Sequence, residues 1–214
     1  MFKRHAFLMC SAVMFLASTA RANMIFVLDQ GGSCCGSGLF ATVTLKDIDA
    51  NTIQVTETLS SGEIFTVTGA GNSLAFNVDK SFTYVPGSLT PGFSTGVNDT
   101  SSPFGAFSSF VTCSDSSVCG TGASVPHFSG PLTFTISSIT GLSDNDFVAN
   151  SGGYYFASDI GIPSASGIYT TGNVAALLGT PQTPTSTPEP GSMALLGLGL
   201  VGASWFGRKR CTDR

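Results

Sequence analysis

Hydrophobic and polar residues alternate in short runs through the middle of the chain. Leu39, Ala41, Val43 and Leu45 alternate with Phe40, Thr42, Thr44 and Lys46. A period of two sends successive side chains to opposite faces, so this run predicts a half-buried strand. Thr52–Leu59 repeats the pattern, with Ile53, Val55 and Leu59 on one face and Thr52, Gln54, Thr56 and Thr58 on the other. Asp47–Asn51 joins the two with turn residues over a hairpin length. Shorter strands are expected at Ile64–Thr68, Leu74–Val78 and Phe82–Val85, separated by Ser60-Ser61-Gly62 and Gly69-Ala70-Gly71-Asn72. Pro131–Ile139 alternates again, and Tyr154–Ile160 reads as the last long strand. Strands at this spacing predict a mostly β protein, a single antiparallel β-sandwich or jelly-roll-like domain.

A helical pattern is scarce. Ser143, with Asp146 three residues on, forms a capping-box signature, and Leu142 and Phe147 are placed as a hydrophobic staple. About two turns of helix are expected over Asp144–Asn150, ended by Gly152-Gly153. A further turn is expected near Asn173–Leu178, stopped by Gly179. Pro86–Pro103 is rich in Gly, Ser, Thr and Pro and reads as a long surface loop.

The two ends depart from this pattern. Lys3 and Arg4 precede an apolar stretch, Ala6–Ala17, and then the small-x-small site Ala20-Arg21-Ala22. Charged, apolar, small is the order of a secretory signal, with cleavage after Ala22. The apolar stretch is short for a permanent span. The translocon and signal peptidase are therefore the first expected partners. At the other end, residues 181–190 are a Pro/Thr/Ser linker ending in Pro188-Glu189-Pro190. Two prolines hold Glu189 on an extended, accessible backbone. Residues 191–207 then read as a transmembrane helix, with Trp205 suited to the interface, and 208–214 as a basic cytoplasmic tail led by Arg208, Lys209 and Arg210. The apolar run Met193–Phe206 reaches roughly 21 Å as a helix, short of a hydrocarbon core of about 30 Å. A span this short reads as a processing signal more than a lasting anchor. The organisation is thus 1–22 signal peptide, 23–180 β-rich exported domain, 181–190 linker, 191–207 membrane helix and 208–214 tail.

Pro-Glu-Pro, a short apolar helix, a basic cluster and the chain end, in that order, resemble the PEP-CTERM sorting signal. That resemblance covers about the last 27 residues, with Cys211-Thr212-Asp213-Arg214 continuing past the basic cluster. It implies an exosortase as partner, which recognises and cleaves the tail at the inner membrane. The membrane is then a transient anchor for an exported precursor, whose destination is the cell surface or the extracellular matrix. The body segments TGAGNSLAFNVD, GPLTFTIS, DFVANSGGYYFASDI and TGNVAALLG resemble domains that precede such tails, and this brings no catalytic residue with it.

Charge narrows the partners. Between Asn23 and Thr187 two lysines, Lys46 and Lys80, face eleven acids, a net charge of −9 against −4 for the whole chain. An acidic body without arginine cannot neutralise a phosphate backbone, which argues against nucleic acid. Charged residues make up only 10% of the chain, with 26 Gly and 17 Phe, in keeping with short strands and many turns.

Candidate chemistry in the body is sparse. Cys10 leaves with the signal and Cys211 with the tail, so Cys34, Cys35, Cys113 and Cys119 remain. An even number in an exported domain reads as disulfides. Either Cys113 pairs with Cys119 and leaves Cys34–Cys35 as a vicinal bridge, or Cys34 and Cys35 both reach the 113–119 loop. Vicinal cysteines space poorly for a four-thiolate zinc. Asp144-Asn145-Asp146 offers oxygen ligands but matches no calcium loop, and the cap already uses Asp146. No metal or cofactor is expected. Asp159 reads as a turn or backbone-bonded acid. His127 reads as a surface histidine, no nucleophile elbow is present, and nothing selects a pair of glycosidase carboxylates. Tyr84, Tyr154, Tyr155 and Tyr169 are the candidate sugar-stacking rings, although neighbours Tyr154 and Tyr155 must face opposite ways in a strand. The readings are therefore a non-enzymatic surface or matrix protein, a module binding extracellular polysaccharide, and a hydrolase as the remotest.

Overall fold

The computed structural model describes residues 23–32, 35–66, 72–121, 126–164 and 168–177. All lie within one compact unit, Ala22–Pro184. The signal at 1–22, the linker, the membrane segment and the basic tail lie outside the described residues. Among the described residues no helix is long and apolar enough to cross a membrane.

The period-two runs form strands. In chain order these are β1 Met24–Gly31, β2 Ser37–Asp49, β3 Thr52–Leu59, β4 Ile64–Phe65, β5 Leu74–Phe76 and β6 Thr83–Tyr84. There follow β7 Phe93–Ser101, β8 Gly105–Cys113, β9 Leu132–Ser137, β10 Tyr154–Pro163 and β11 Tyr169–Leu177. They make one antiparallel sheet in the order β6-β9-β3-β2-β1-β11-β10-β5-β8-β7, with β4 also pairing with β10. β4 and β5 lie one after the other along β10, against Ile160-Gly161 and Phe156-Ala157.

The sheet curls until its two ends meet. β9 and β5 stand far apart in the strand order, yet Phe134 on β9 stacks on Phe76 on β5 with centroids 5.6 Å apart. The Tyr84 hydroxyl on β6 reaches the Phe110 carbonyl on β8 at 3.4 Å. The concave face therefore encloses the core, which holds Phe65, Phe76, Phe134, Phe156, Leu28 and Ile53. A second, smaller cluster sits on the back of the sheet. There Phe104 and Phe107, from the β7–β8 hairpin, lie on Ala75, Ala157 and Ala175. Small residues at these three positions let the hairpin approach the sheet. Asn150 Nδ2 and Asn173 Nδ2 hold it there by donating to the Phe104 and Ser102 carbonyls, each at 2.8 Å.

Several expectations are corrected. The helix over Asp144–Asn150 is a single 3₁₀ turn, Asp144–Asp146, because Val148 leaves it to bond the Asn77 carbonyl. Its cap is as read: Asp146 accepts from the Ser143 N–H at 2.7 Å and from its hydroxyl at 3.1 Å. The turn expected near Asn173–Leu178 is instead strand β11, which pairs with both β1 and β10. Tyr154–Ile160 is accordingly not the last long strand. The Pro86–Pro103 loop contains β7, paired along its length with β8. Within β2, Leu39 is exposed and Phe40 buried, the reverse of the simple alternation. The register with β1 shifts between Leu28 and Gln30, opposite this stretch, and changes the phase.

Candidate functional site

A groove runs over the β7–β8 hairpin where the sheet's ends meet. Its larger part, about 530 Å³, is walled by Phe82 and Tyr84 with Lys80 beside them. Its floor is Thr95, Gly96, Val97, Ser108 and Ser109. A second depression of about 360 Å³ continues past the shared Ser108 to Asn77, Asn98, Asp99 and Thr100. Gly96 is required here, because a Cβ on it would collide with the Phe110 ring packed across β7.

The groove's charged side chains already have partners. Lys80 Nζ lies 3.0 Å from Asp146 Oδ2. Asp146 is nearly buried, which opposes its charge, but bonds from Lys80 and Ser143 prevail and hold its carboxyl below the ordinary range. Asp99 accepts from Asn72 Nδ2 at 2.7 Å through Oδ2 and from the Thr100 N–H through Oδ1. The Tyr84 ring edges onto Phe82 at 5.5 Å, and burial pushes its hydroxyl pKa up, so it stays a neutral donor to Phe110.

The sequence-predicted residues separate into groups. Tyr84 alone of the four tyrosines lines the groove. Tyr154 packs on Phe104 at 5.0 Å in the back cluster and Tyr155 on Phe26 at 5.0 Å against the main core, the opposite faces their adjacency requires. Tyr169 meets His127 at a tilt, with ring centroids 4.8 Å apart. His127 is exposed, and its Nδ1–H donates to the Gly120 carbonyl at 2.8 Å. Asp159 lies mid-strand in β10 rather than in a turn, and its N–H donates to the Asn72 carbonyl. Among the described residues no group of three His, Cys, Asp or Glu is placed to hold a metal ion.

Cys113 and Cys119 are bonded to each other. The arrangement in which both N-terminal cysteines reach this loop therefore does not form. Cys35 is also disulfide-bonded, to a partner outside the described residues, as is the position of Cys34. Inside the closed loop, the Ser117 hydroxyl and N–H both donate to Asp115 and hold its carboxyl below the ordinary range. Cutting so short a loop by Cys113→Ser with Cys119→Ser is expected to cost about 2 kcal/mol. A urea midpoint unchanged by the double substitution would show that the bridge adds no stability.

One residue escaped the reading of the sequence. Glu57 falls on the inward face of β3, in phase with Ile53, Val55 and Leu59, and is fully buried. Neither carboxylate oxygen has a hydrogen-bond partner. Burial raises its pKa well above the ordinary value, and the Ser158 hydroxyl across the core donates instead to the Ser73 carbonyl at 2.7 Å. Its place in the alternation was the available signal. Glu63, nearly buried, is raised to about 7 by the same cause, against a bond from the Ser60 N–H.

The sorting residues Pro188, Glu189, Pro190, Arg208, Lys209 and Arg210, and the signal residues Ala20 and Ala22, lie outside the described residues. Residues 186–210 match the family model of the PEP-CTERM protein-sorting motif, so the chain carries a PEP-CTERM sorting motif in its tail. The match covers the tail alone; it implies an exosortase as processing partner and membrane-associated sorting to the cell surface. Neither a curated protein nor a solved structure matches the chain.

Proposed function

We propose that this is a non-enzymatic surface or matrix protein. The signal peptide carries the precursor into the envelope, the tail holds it in the inner membrane, and an exosortase cuts near Pro188-Glu189-Pro190 and releases the body. The observation that carries this reading is the motif over 186–210. The non-enzymatic part is supported by His127, whose hydrogen bond goes to a backbone carbonyl rather than to an acid. Turnover of any substrate in a broad hydrolase panel would overturn that part.

Glu189→Ala, and separately the loss of Arg208–Arg210, are expected to leave most of the protein as membrane-bound precursor. Immunoblotting of membrane and surface fractions reads this directly. Mature protein in normal amount and place in both variants would reduce the tail to an ordinary anchor.

A second reading, a module for extracellular polysaccharide, is favoured by the groove. Its volume is in the range of small-ligand sites, and it combines an aromatic wall with hydroxyl and amide groups. A glycan array probed with residues 23–187 tests it, and binding to no polysaccharide removes it.

A further inference from the structure

The groove's chemistry specifies more than sugar in general. We infer that it takes a neutral, linear polysaccharide, laid along the β7–β8 hairpin from Phe82 past Ser108 to Thr100; this rests on the polysaccharide-binding reading. The two depressions share Ser108, so a chain that occupies both is an extended one that passes over that residue. That favours an extended polymer over a compact small molecule.

The lining then selects the polymer. Along the floor, Thr95, Ser108 and Ser109 present hydroxyls, and Asn77 and Asn98 present amides. Such groups exchange hydrogen bonds with ligand hydroxyls and satisfy the ligand's polar atoms as they leave water. Phe82, half-buried against Phe76 at 6.0 Å, supplies an apolar ring on which the C–H face of a pyranose can stack. Val97 is the one strongly exposed large apolar side chain among the described residues of the lining. An apolar peptide would find too little to bury, since its affinity would depend on removing apolar area from water.

Charge decides between neutral and acidic chains. Among the described residues Lys80 is the only cation that lines the groove, and Asp146 neutralises it. Asp99 adds a negative charge at the far end. The body as a whole carries two lysines against eleven acids. A uronate polymer would bring like charge to this surface with no unpaired cation among the described residues of the groove to offset it, which disfavours both encounter and docking.

The test uses the body, residues 23–180. The eleven strands and both apolar clusters of the described residues lie within 24–177, so the body carries its own core. Affinity electrophoresis and calorimetry would be run against a glucan, a mannan and a galactan as neutral polymers, and against alginate as the acidic one. Two variants accompany the wild type: Phe82→Ala, which removes the stacking ring, and Ser108→Trp, which fills the junction of the two depressions. Ser108 is exposed, and its backbone bond to Asn77 Oδ1 at 2.7 Å does not involve its side chain. A melting curve on each variant confirms folding, and Ser108→Trp serves alone if Phe82→Ala unfolds.

The expected result is binding of at least one neutral polymer, none of alginate, and weakening of at least about tenfold in each folded variant. Unchanged binding in the folded variants would overturn the groove assignment and leave the polysaccharide-binding reading standing. Preference for alginate would overturn the neutral specificity. No binding of any polymer would overturn the inference and that reading together.

Discussion

Between pH 5 and 7 the body is expected to lose stability, and Glu57→Gln is expected to reduce that loss. Glu57 lies on β3, flanked by Val43 on β2 and Leu132 on β9, and Ser158 on β10 lies across the core from it. A carboxylate there gives up hydration and finds no hydrogen bond in return, which burial alone makes costly. The folded pKa is raised above the unfolded one, so the folded state binds more protons than the unfolded state in this window. Stability is therefore fully present below about pH 4.5 and falls as pH rises toward the folded pKa. The limiting slope is about 1.4 kcal/mol per pH unit for one such group. Glu63 acts in the same direction up to about pH 7, so the wild type combines both losses and Glu57→Gln keeps only the Glu63 part. Asp146, with its lowered pKa, acts at lower pH and in the opposite direction. Glu57→Leu, which removes the polar group altogether, is expected to be more stable than the wild type at pH 7 by on the order of 2 kcal/mol. Urea titrations at half-unit steps measure these differences. Parallel curves for wild type and Glu57→Gln across the window would show that Glu57 does not titrate with folding.

Glu57 also marks what the sequence makes legible and what it hides. Its position could be read by counting in twos along β3, because one residue type per face is the rule the strand obeys. The same counting exposes β2, β3 and β9, where apolar and threonine residues alternate cleanly. It hides β1, because Ile25 and Val27 on the outer face are as apolar as Phe26 and Leu28 on the inner one. It hides β7 for the opposite reason: as the last strand of the sheet, most of it faces water and has a loop's composition. In β11 the run Val174-Ala175-Ala176-Leu177 has the composition of a helix. Pairing with strands on both sides overrides that propensity, and Ala175 is small because the hairpin packs over it. The groove was not legible at all, since residues 77–84 meet residues 95–109 only after the sheet has curled. The sorting motif over residues 186–210 was legible, because its signal is a linear order of residue types and needs no tertiary structure.

Phe76→Ala is expected to cost roughly 3–5 kcal/mol, a large part of a typical stability of about 5–15 kcal/mol. Phe76 has no exposed surface and sits on β5, a strand of three residues. Its ring meets Phe82 at 6.0 Å, Phe134 at 5.6 Å, Phe147 at 5.8 Å and Phe156 at 6.4 Å. Phe134 and Phe82 belong to one end of the curled sheet and Phe156 to the other half, so this one side chain ties together strands that never pair. Truncation leaves a cavity between them that aromatic neighbours on a curled sheet cannot collapse to fill. Two outcomes of a urea titration are informative beyond the midpoint. If the curl is one cooperative unit, the midpoint falls, the slope stays constant and the transition remains single. If the halves are held together chiefly through this ring, the transition splits, because each half then loses its structure at its own denaturant concentration. A loss below about 1 kcal/mol would contradict the enclosure itself, since only a ring with room to collapse around could be removed at so small a cost.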